Sequence, residues 1–204
     1  MSDKDVAIAT IKMEHRALGA VLHMLQELLR TVVTNYGSPE FGLLSAALYY
    51  IDDFQERCHH PKEDDYLFKS LSAATSEFDG VINGLQAAHV SGAHAVSQLH
   101  RYLVRYQGGV SHGLETFRAA VDAYATQMYE HMRCEEDLLE RSRDVIGEPE
   151  WARIAAAFDE NDDPLFGNNR REEFGRLYHR IAVLAPRKLK QGMHPASQSL
   201  PRGG

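Results

Sequence analysis

A helical period of apolar residues runs, with short breaks, from about Asp5 to Ser142, and it constrains the fold more than any other feature of the chain. In the first segment, about Asp5 to Asn35, the stripe is Ile8, Ile11, His15, Leu18, Leu22, Leu25, Leu29 and Val32, which advances in steps of three and four along one helix face. The second, about Pro39 to Leu71, reads Leu44, Leu48, Ile51, Gln55, His59, Glu63 and Tyr66. The third, about Ser76 to Tyr106, reads Ile82, Leu85, His89, Gly92, Val96, Leu99, Leu103 and Tyr106. The fourth, about Ser111 to Ser142, reads Leu114, Phe117, Val121, Tyr124, Met128, His131, Glu135 and Leu138.

The breaks carry terminator chemistry. Gly37 suits a C-cap, Ser38 the following N-cap and Pro39 the first helical position. Gln107-Gly108-Gly109 ends the third helix. Pro61, inside the second stripe, removes an N–H from the ladder and should kink the helix or loosen the turn before it. Long helices joined by short loops lie antiparallel to their neighbours. The expected fold is therefore all-α, an up-down-up-down four-helix bundle over residues 1–145. Two shorter helices are expected beyond Gly147-Glu148-Pro149, about Glu150 to Phe158 and about Asn169 to Leu184, parted by Asp162-Asp163-Pro164. This extension, residues 146–186, should pack on the bundle. The charge run Asp159 to Asp163 reads as a solvated loop, and the Pro/Gly/Ser-rich residues 187–204 as a disordered tail.

Each stripe is interrupted by one histidine: His15, His59, His89 and His131. Glu63 follows His59, and Glu135 follows His131, by four residues, which puts imidazole and carboxylate on one helix face. His15 lies about 22 residues before Gly37 and His59 about 22 after it, so at ~1.5 Å rise per residue antiparallel helices set them at one height. His59 and His89 each lie about 15 residues from Ala74, and His89 and His131 about 19 and 22 from the Gly108-Gly109 break, a mismatch within about one turn. The four histidines fall in one layer. Burying them with two carboxylates and no partner is costly. A pair of cations removes that cost. Imidazole with carboxylate suits iron, manganese or zinc, and open positions with bridging oxygen favour iron. The donor set suits two metals, with about two His each and carboxylates and a solvent oxygen between them.

These residues resemble the hemerythrin-like, or HHE cation-binding, family. The resemblance rests on Glu14-His15, on Cys58-His59-His60-Pro61-Lys62-Glu63-Asp64 with Leu67-Phe68, on Ala88-His89, and on His131-Met132-Arg133-Cys134-Glu135-Glu136, and it covers roughly residues 5–142. The stretch Trp151 to Pro186 looks like a C-terminal extension of some bacterial members. The resemblance implies two non-haem iron ions, oxo- or hydroxo-bridged, on His15, His59, Glu63, His89, His131 and Glu135. It departs from the oxygen carriers at one place. Their second third-helix histidine, four residues after the first, is here Ala93. His94, five residues on, sits about 140° round from His89 and should point away. The carrier's set of five histidines is incomplete, so the site resembles more those of hemerythrin-like iron sensors and iron–sulfur cluster repair proteins.

Other residues have plainer readings. His60 lies about 100° from His59 and is expected at the surface, with a place beside the metal as the alternative. Tyr66, Tyr124 and Met128 are expected as packing that keeps the pocket dry. Cys58 and Cys134 read as small core residues, with a redox role as the alternative. Glu56 makes a ferritin-type Glu-x-x-His with His59, but Met128 stands where the fourth helix would need its own Glu.

A net charge of -7 disfavours a nucleic-acid partner. The longest apolar runs are too short for a membrane span, and Met1 to Thr10 has no apolar signal core. With two cysteines and no disulfide framework, a cytoplasmic protein is expected. The expected function is binding or sensing a small oxidant such as O2, NO or peroxide, with a redox sensor or a repair-type iron donor without turnover as the alternative.

Overall fold

The computed structural model describes residues 2–35, 39–167 and 172–184, and no strand occurs among them. Helix α1 spans Asp3–Asn35. It opens on a capping box: the Asp5 N–H donates to Ser2 Oγ (3.3 Å) and the Ser2 N–H to the Asp5 carboxylate (3.3 Å). Helix α2, residues 41–74, is continuous but changes pitch. It is α-helical over Phe41–Tyr50, π-helical over Ile51–His59, α-helical over His60–Lys62, π-helical over Glu63–Phe68 and α-helical over Lys69–Ala74. Helix α3 spans Asp79–Gln107, α4 Gly113–Ser142, and α5 Glu148–Asp159. A 3₁₀ turn, Glu172–Phe174, leads into α6, Gly175–Leu184. No described helix is long and apolar enough to cross a membrane.

Several local expectations change. Helix α2 starts behind Glu40, two residues later than Pro39 suggested, and the caps assigned to Gly37 and Ser38 lie outside the described residues, as does the tail from residue 187. Pro61 does not break α2. The turn before it loosens, as expected, with the His60 N–H reaching the Gln55 carbonyl five residues back. Pro61 has no N–H to give, and a wider turn moves the preceding carbonyls off its ring. The same widening shifts the phase of the helix. Tyr66 is exposed, and its neighbours Leu67 and Phe68 are buried in its place. At the α3–α4 connection a Cβ on Gly113 would sit 2.9 Å from Tyr106 Cα, so glycine lets the two helices meet closely.

Helix α1 packs against α4, α5 and α6, and α3 against α4 and α2. The four stripes are buried along nearly their whole length. They form two apolar clusters. One gathers Leu18 to Leu29 of α1, Leu43 to Phe54 of α2, Val96 to Leu103 of α3 and Phe117 to Met132 of α4. The other joins Ala7 to Ile11, Leu67 to Leu71, Ile82 and Leu85, and Leu138 and Leu139, with Trp151, Ile154 and Phe158 of α5. Each fully buried Leu contributes about 1.5–3 kcal/mol, which offsets the cost of what lies between the clusters. That intervening layer holds Glu14, His15, Gln55, His59, His60, Glu63, His89, His131 and Glu135, all buried.

The acidic run after α5 is not simply solvated. Asp163 is buried, accepting from the Tyr50 hydroxyl (2.9 Å) and from the N–H groups of Leu165 (2.8 Å) and Phe166 (3.0 Å).

Candidate metal centre

Each residue in the layer reaches it for a local reason. His15, His89 and His131 stand on regular α-helical stripes. His59 and His60 share the end of the first π-helical segment, where side chains one residue apart are turned through less than an α-helical step. Both imidazoles therefore enter the core, and the surface position expected for His60 is corrected. His60 stacks on His89, with ring centroids 4.1 Å apart.

The donor atoms form two groups, each with its atoms within 4.8 Å of one another. One is His15, His59, Glu63 and Glu135; the other is His60, Glu63, His89 and His131. Glu63 belongs to both. Its Oε1 lies 2.7 Å from His59 Nε2 and 3.6 Å from His15 Nε2, and its Oε2 lies 3.4 Å from His89 Nε2. Glu135 Oε2 lies 3.3 Å from His15 Nε2 and 3.6 Å from His131 Nε2. All six residues implied by the resemblance are thus brought together, and His60 joins them. His94 and His112 are exposed, His23, His100 and His179 lie outside both groups, and His194 is outside the described residues. Cys58 and Cys134 belong to neither group.

The outer nitrogens are engaged by a second ring of acids. The Nδ1 of His59 faces Glu14 (2.5 Å), that of His15 faces Glu136 (3.3 Å), that of His60 faces Glu56 (3.1 Å) and that of His89 faces Asp64 (3.1 Å). A carboxylate only accepts, so the Nδ1 facing it donates, and each Nε2 points inward, where it can ligate a cation once any proton it carries is displaced. These acids had a signal in the sequence. Glu14, Asp64 and Glu136 adjoin a layer residue, and Glu56 precedes His60 by four. The ferritin-type pairing of Glu56 with His59 is replaced by one with His60 and with the Tyr124 hydroxyl, which donates to Glu56 at 3.1 Å.

The inward atoms fit cations better than they fit each other. Both oxygens of Glu63, both of Glu135, and Nε2 of His15 and His59 are buried without a well-aligned hydrogen bond, although they face one another. They converge on shared points rather than pairing. Buried carboxylate oxygens left this way are destabilising, and a bound cation satisfies them. Two or three imidazoles with one or two carboxylates make a borderline N/O donor set that suits iron, manganese or zinc. Three inward nitrogens do have partners: His60 Nε2 lies 3.1 Å from the Gln55 amide nitrogen, and the Nε2 atoms of His89 and His131 lie 3.2 Å apart.

Charge in the layer is balanced among the side chains. Burial disfavours the His59 cation, but Glu63 and Glu14 outweigh it and hold its pKa at about 9. For His89, burial is likewise outweighed, by Asp64 and Glu63, to about 10. Against its burial, His15 is raised well above its ordinary value by Glu135, Glu136 and Glu63. Burial would raise Glu63, but His59, His15 and His89 hold it well below its ordinary range. Burial and the Glu63 charge push Glu135 up to about 7. Burial drives His60 well down and His131 to about 3, so both present neutral rings. Protons on His15, His59 and His89 therefore do, without metal, what a cation does when bound.

Around this layer Phe68 stacks on His89 (5.8 Å) and Phe158 meets His59 edge-on (5.7 Å), and Met128 and Tyr124 are buried as expected. In comparison with known protein families, residues 6–141 match the hemerythrin HHE cation binding domain. Comparison with curated proteins and with solved structures finds no match.

Proposed function

Because the chain belongs to the hemerythrin HHE cation-binding family, we propose that it is a non-haem di-iron protein that binds or senses a small oxidant such as O2, NO or peroxide. The observation that carries this reading is the pair of donor groups sharing Glu63. His15 and His59 with Glu135 would hold one ion, His60, His89 and His131 the other, and Glu63 would lie between them. Iron bound there supplies redox chemistry and a place for a diatomic or peroxide ligand. The chain's own residues do the rest. The Nδ1 partners orient the imidazoles, and the two apolar clusters keep bulk water from the layer.

We read α1–α4 as an up-down-up-down four-helix bundle, residues 1–145, with 146–186 as an extension. The clusters support this: early residues of α1 and α3 meet late residues of α2 and α4. A cytoplasmic protein without nucleic-acid or membrane partners suits the reading. Anaerobic loading with ferrous iron should give about two irons per chain, one for each donor group, and a charge-transfer band on oxidation. Uptake near zero in correctly folded protein would refute it.

A second reading, a redox sensor or repair-type iron donor without turnover, is favoured by the proton balance of the layer. Side chains that hold their charge without metal can release metal without leaving buried ions bare. Protons replace the charge of a metal but not its bonds to four helices' side chains, so a sensor should still loosen when stripped of metal. Hydrogen exchange that is unchanged between stripped and loaded protein would argue against it.

A further inference from the structure

The family match ends at residue 141, yet the chain beyond it reaches the metal centre. Helix α5 packs on α1, and Lys62 of α2 donates to the Ala157 carbonyl and pairs with Glu160 at 3.5 Å. Phe158 covers the edge of the His59 ring. One turn later the Asn161 side-chain amide donates to Glu14 Oε2 at 3.2 Å. That is the same oxygen that receives His59 Nδ1 at 2.5 Å. Glu14 Oε1 is buried with no hydrogen bond. Asn161 is therefore the second donor on the working oxygen of a buried carboxylate whose other oxygen has no hydrogen bond. It holds that oxygen on His59.

The loop carrying Asn161 is built to stay where it is. Asp163 takes the Tyr50 hydroxyl from the last α-helical turn before the π segment, and its carbonyl accepts the Gly167 N–H at 2.7 Å. A Cβ on Gly167 would lie 2.5 Å from that carbonyl oxygen, so only glycine closes the loop. Asn161 itself is half-buried on the wall of a surface cavity of about 430 Å³ shared with Arg57, Cys58 and Lys62. Its side chain can change without repacking the core.

We propose that Asn161 is a positioning residue of the metal centre, acting through Glu14 to fix His59 and so to slow the loss of metal. The proposal rests on the reading of the layer as a metal site. Partners that orient a ligating histidine typically change affinity by about 10–100-fold, and Asn161 is one bond further out, so the low end applies.

The test loads the full-length chain anaerobically with ferrous iron and follows its release to a chelator. Asn161→Ala should release iron about 10-fold faster than the unmodified chain. Asn161→Asp, which keeps the shape but replaces the donor with an acceptor facing Glu14, should be at least as fast. Glu14→Gln should also be faster. The double variant Asn161→Ala/Glu14→Gln should be no faster than Glu14→Gln alone, because both act on one contact. A merely structural role for Asn161 would give additive effects. Release at the unmodified rate in both Asn161 variants, or additivity in the double variant, overturns the proposal. An unmodified chain that takes up no iron overturns the metal-centre reading, and this inference with it.

Discussion

Replacing His60 with alanine separates the two halves of the proposed centre. The group around His60 would keep Glu63, His89 and His131 but lose one of three imidazoles. The group of His15, His59, Glu63 and Glu135 would be untouched. Removing only an outer partner of a ligand costs about 10–100-fold in affinity, so loss of the ligand itself should weaken that position by about 100-fold or more. The fold should survive. Burial keeps His60 neutral, so no cation is removed from the charge balance, and Glu56 retains the Tyr124 hydroxyl. Truncating a buried side chain of this size costs about 2–5 kcal/mol. The assay is anaerobic ferrous titration, desalting and metal analysis. His60→Ala should retain about one iron per chain, half of what two donor groups allow, and His94→Ala, altered at an exposed position, about two. Two irons held with undiminished affinity in His60→Ala would show that His60 is not a ligand.

Four further outcomes follow from the same geometry. Glu63→Gln should abolish uptake at both positions, and the His59 pKa should fall from about 9 toward its ordinary value, which an NMR titration of the metal-free protein would reveal. His59 and His89 have raised pKa values of about 9 and 10, so they hold protons at neutral pH that metal must displace. Iron uptake at neutral pH should release protons, measurable by calorimetry in buffers of different ionisation enthalpy, and uptake should weaken as pH falls. By the same linkage, the stability these two histidines lend the metal-free fold is complete below their ordinary value of 6.5 and is lost as pH rises through about 9 to 10. The melting temperature of metal-free protein should fall across that window, and a flat profile would refute the charge assignment. Gly167→Ala forces a Cβ against Asp162 Oδ1 and the Asp163 carbonyl, and should cost about 1–3 kcal/mol in chemical denaturation.

Much of the site was legible because four helices expose their inward faces as simple periodicity. His15, His59, His89 and His131 each replace an aliphatic residue on a stripe, and Glu63 and Glu135 continue two of those stripes. What escaped sequence reading escaped for two physical reasons. The first is pitch. A fixed α-helical step puts His60 on the surface and Tyr66 in the core, and the π-helical segments of α2 reverse both. Pro61 marked the place and the loosened turn, but not the change of phase that follows from it. The second is distance along the chain. Glu14, Asp64 and Glu136 adjoin layer residues, yet adjacency alone does not tell a solvated acid from one that holds an imidazole. Asn161 lies 147 residues from Glu14, beyond the reach of any local pattern. Asp163 sat in a run whose charge read as solvent-facing, and a tyrosine hydroxyl with two backbone N–H groups is what makes its burial tolerable.

The widened turns of α2 also bear on how such a helix can be altered by insertion and deletion. A π-helical turn is where a helix takes up one extra residue while its two ends stay docked. Removing one residue from within Ile51–His59 should return the segment to regular pitch and withdraw one of the paired imidazoles from the layer. The third helix has no histidine four places after His89 to compensate. In this chain the fifth imidazole is thus a property of backbone length in α2, and a single-codon deletion could remove it without touching any of the histidines.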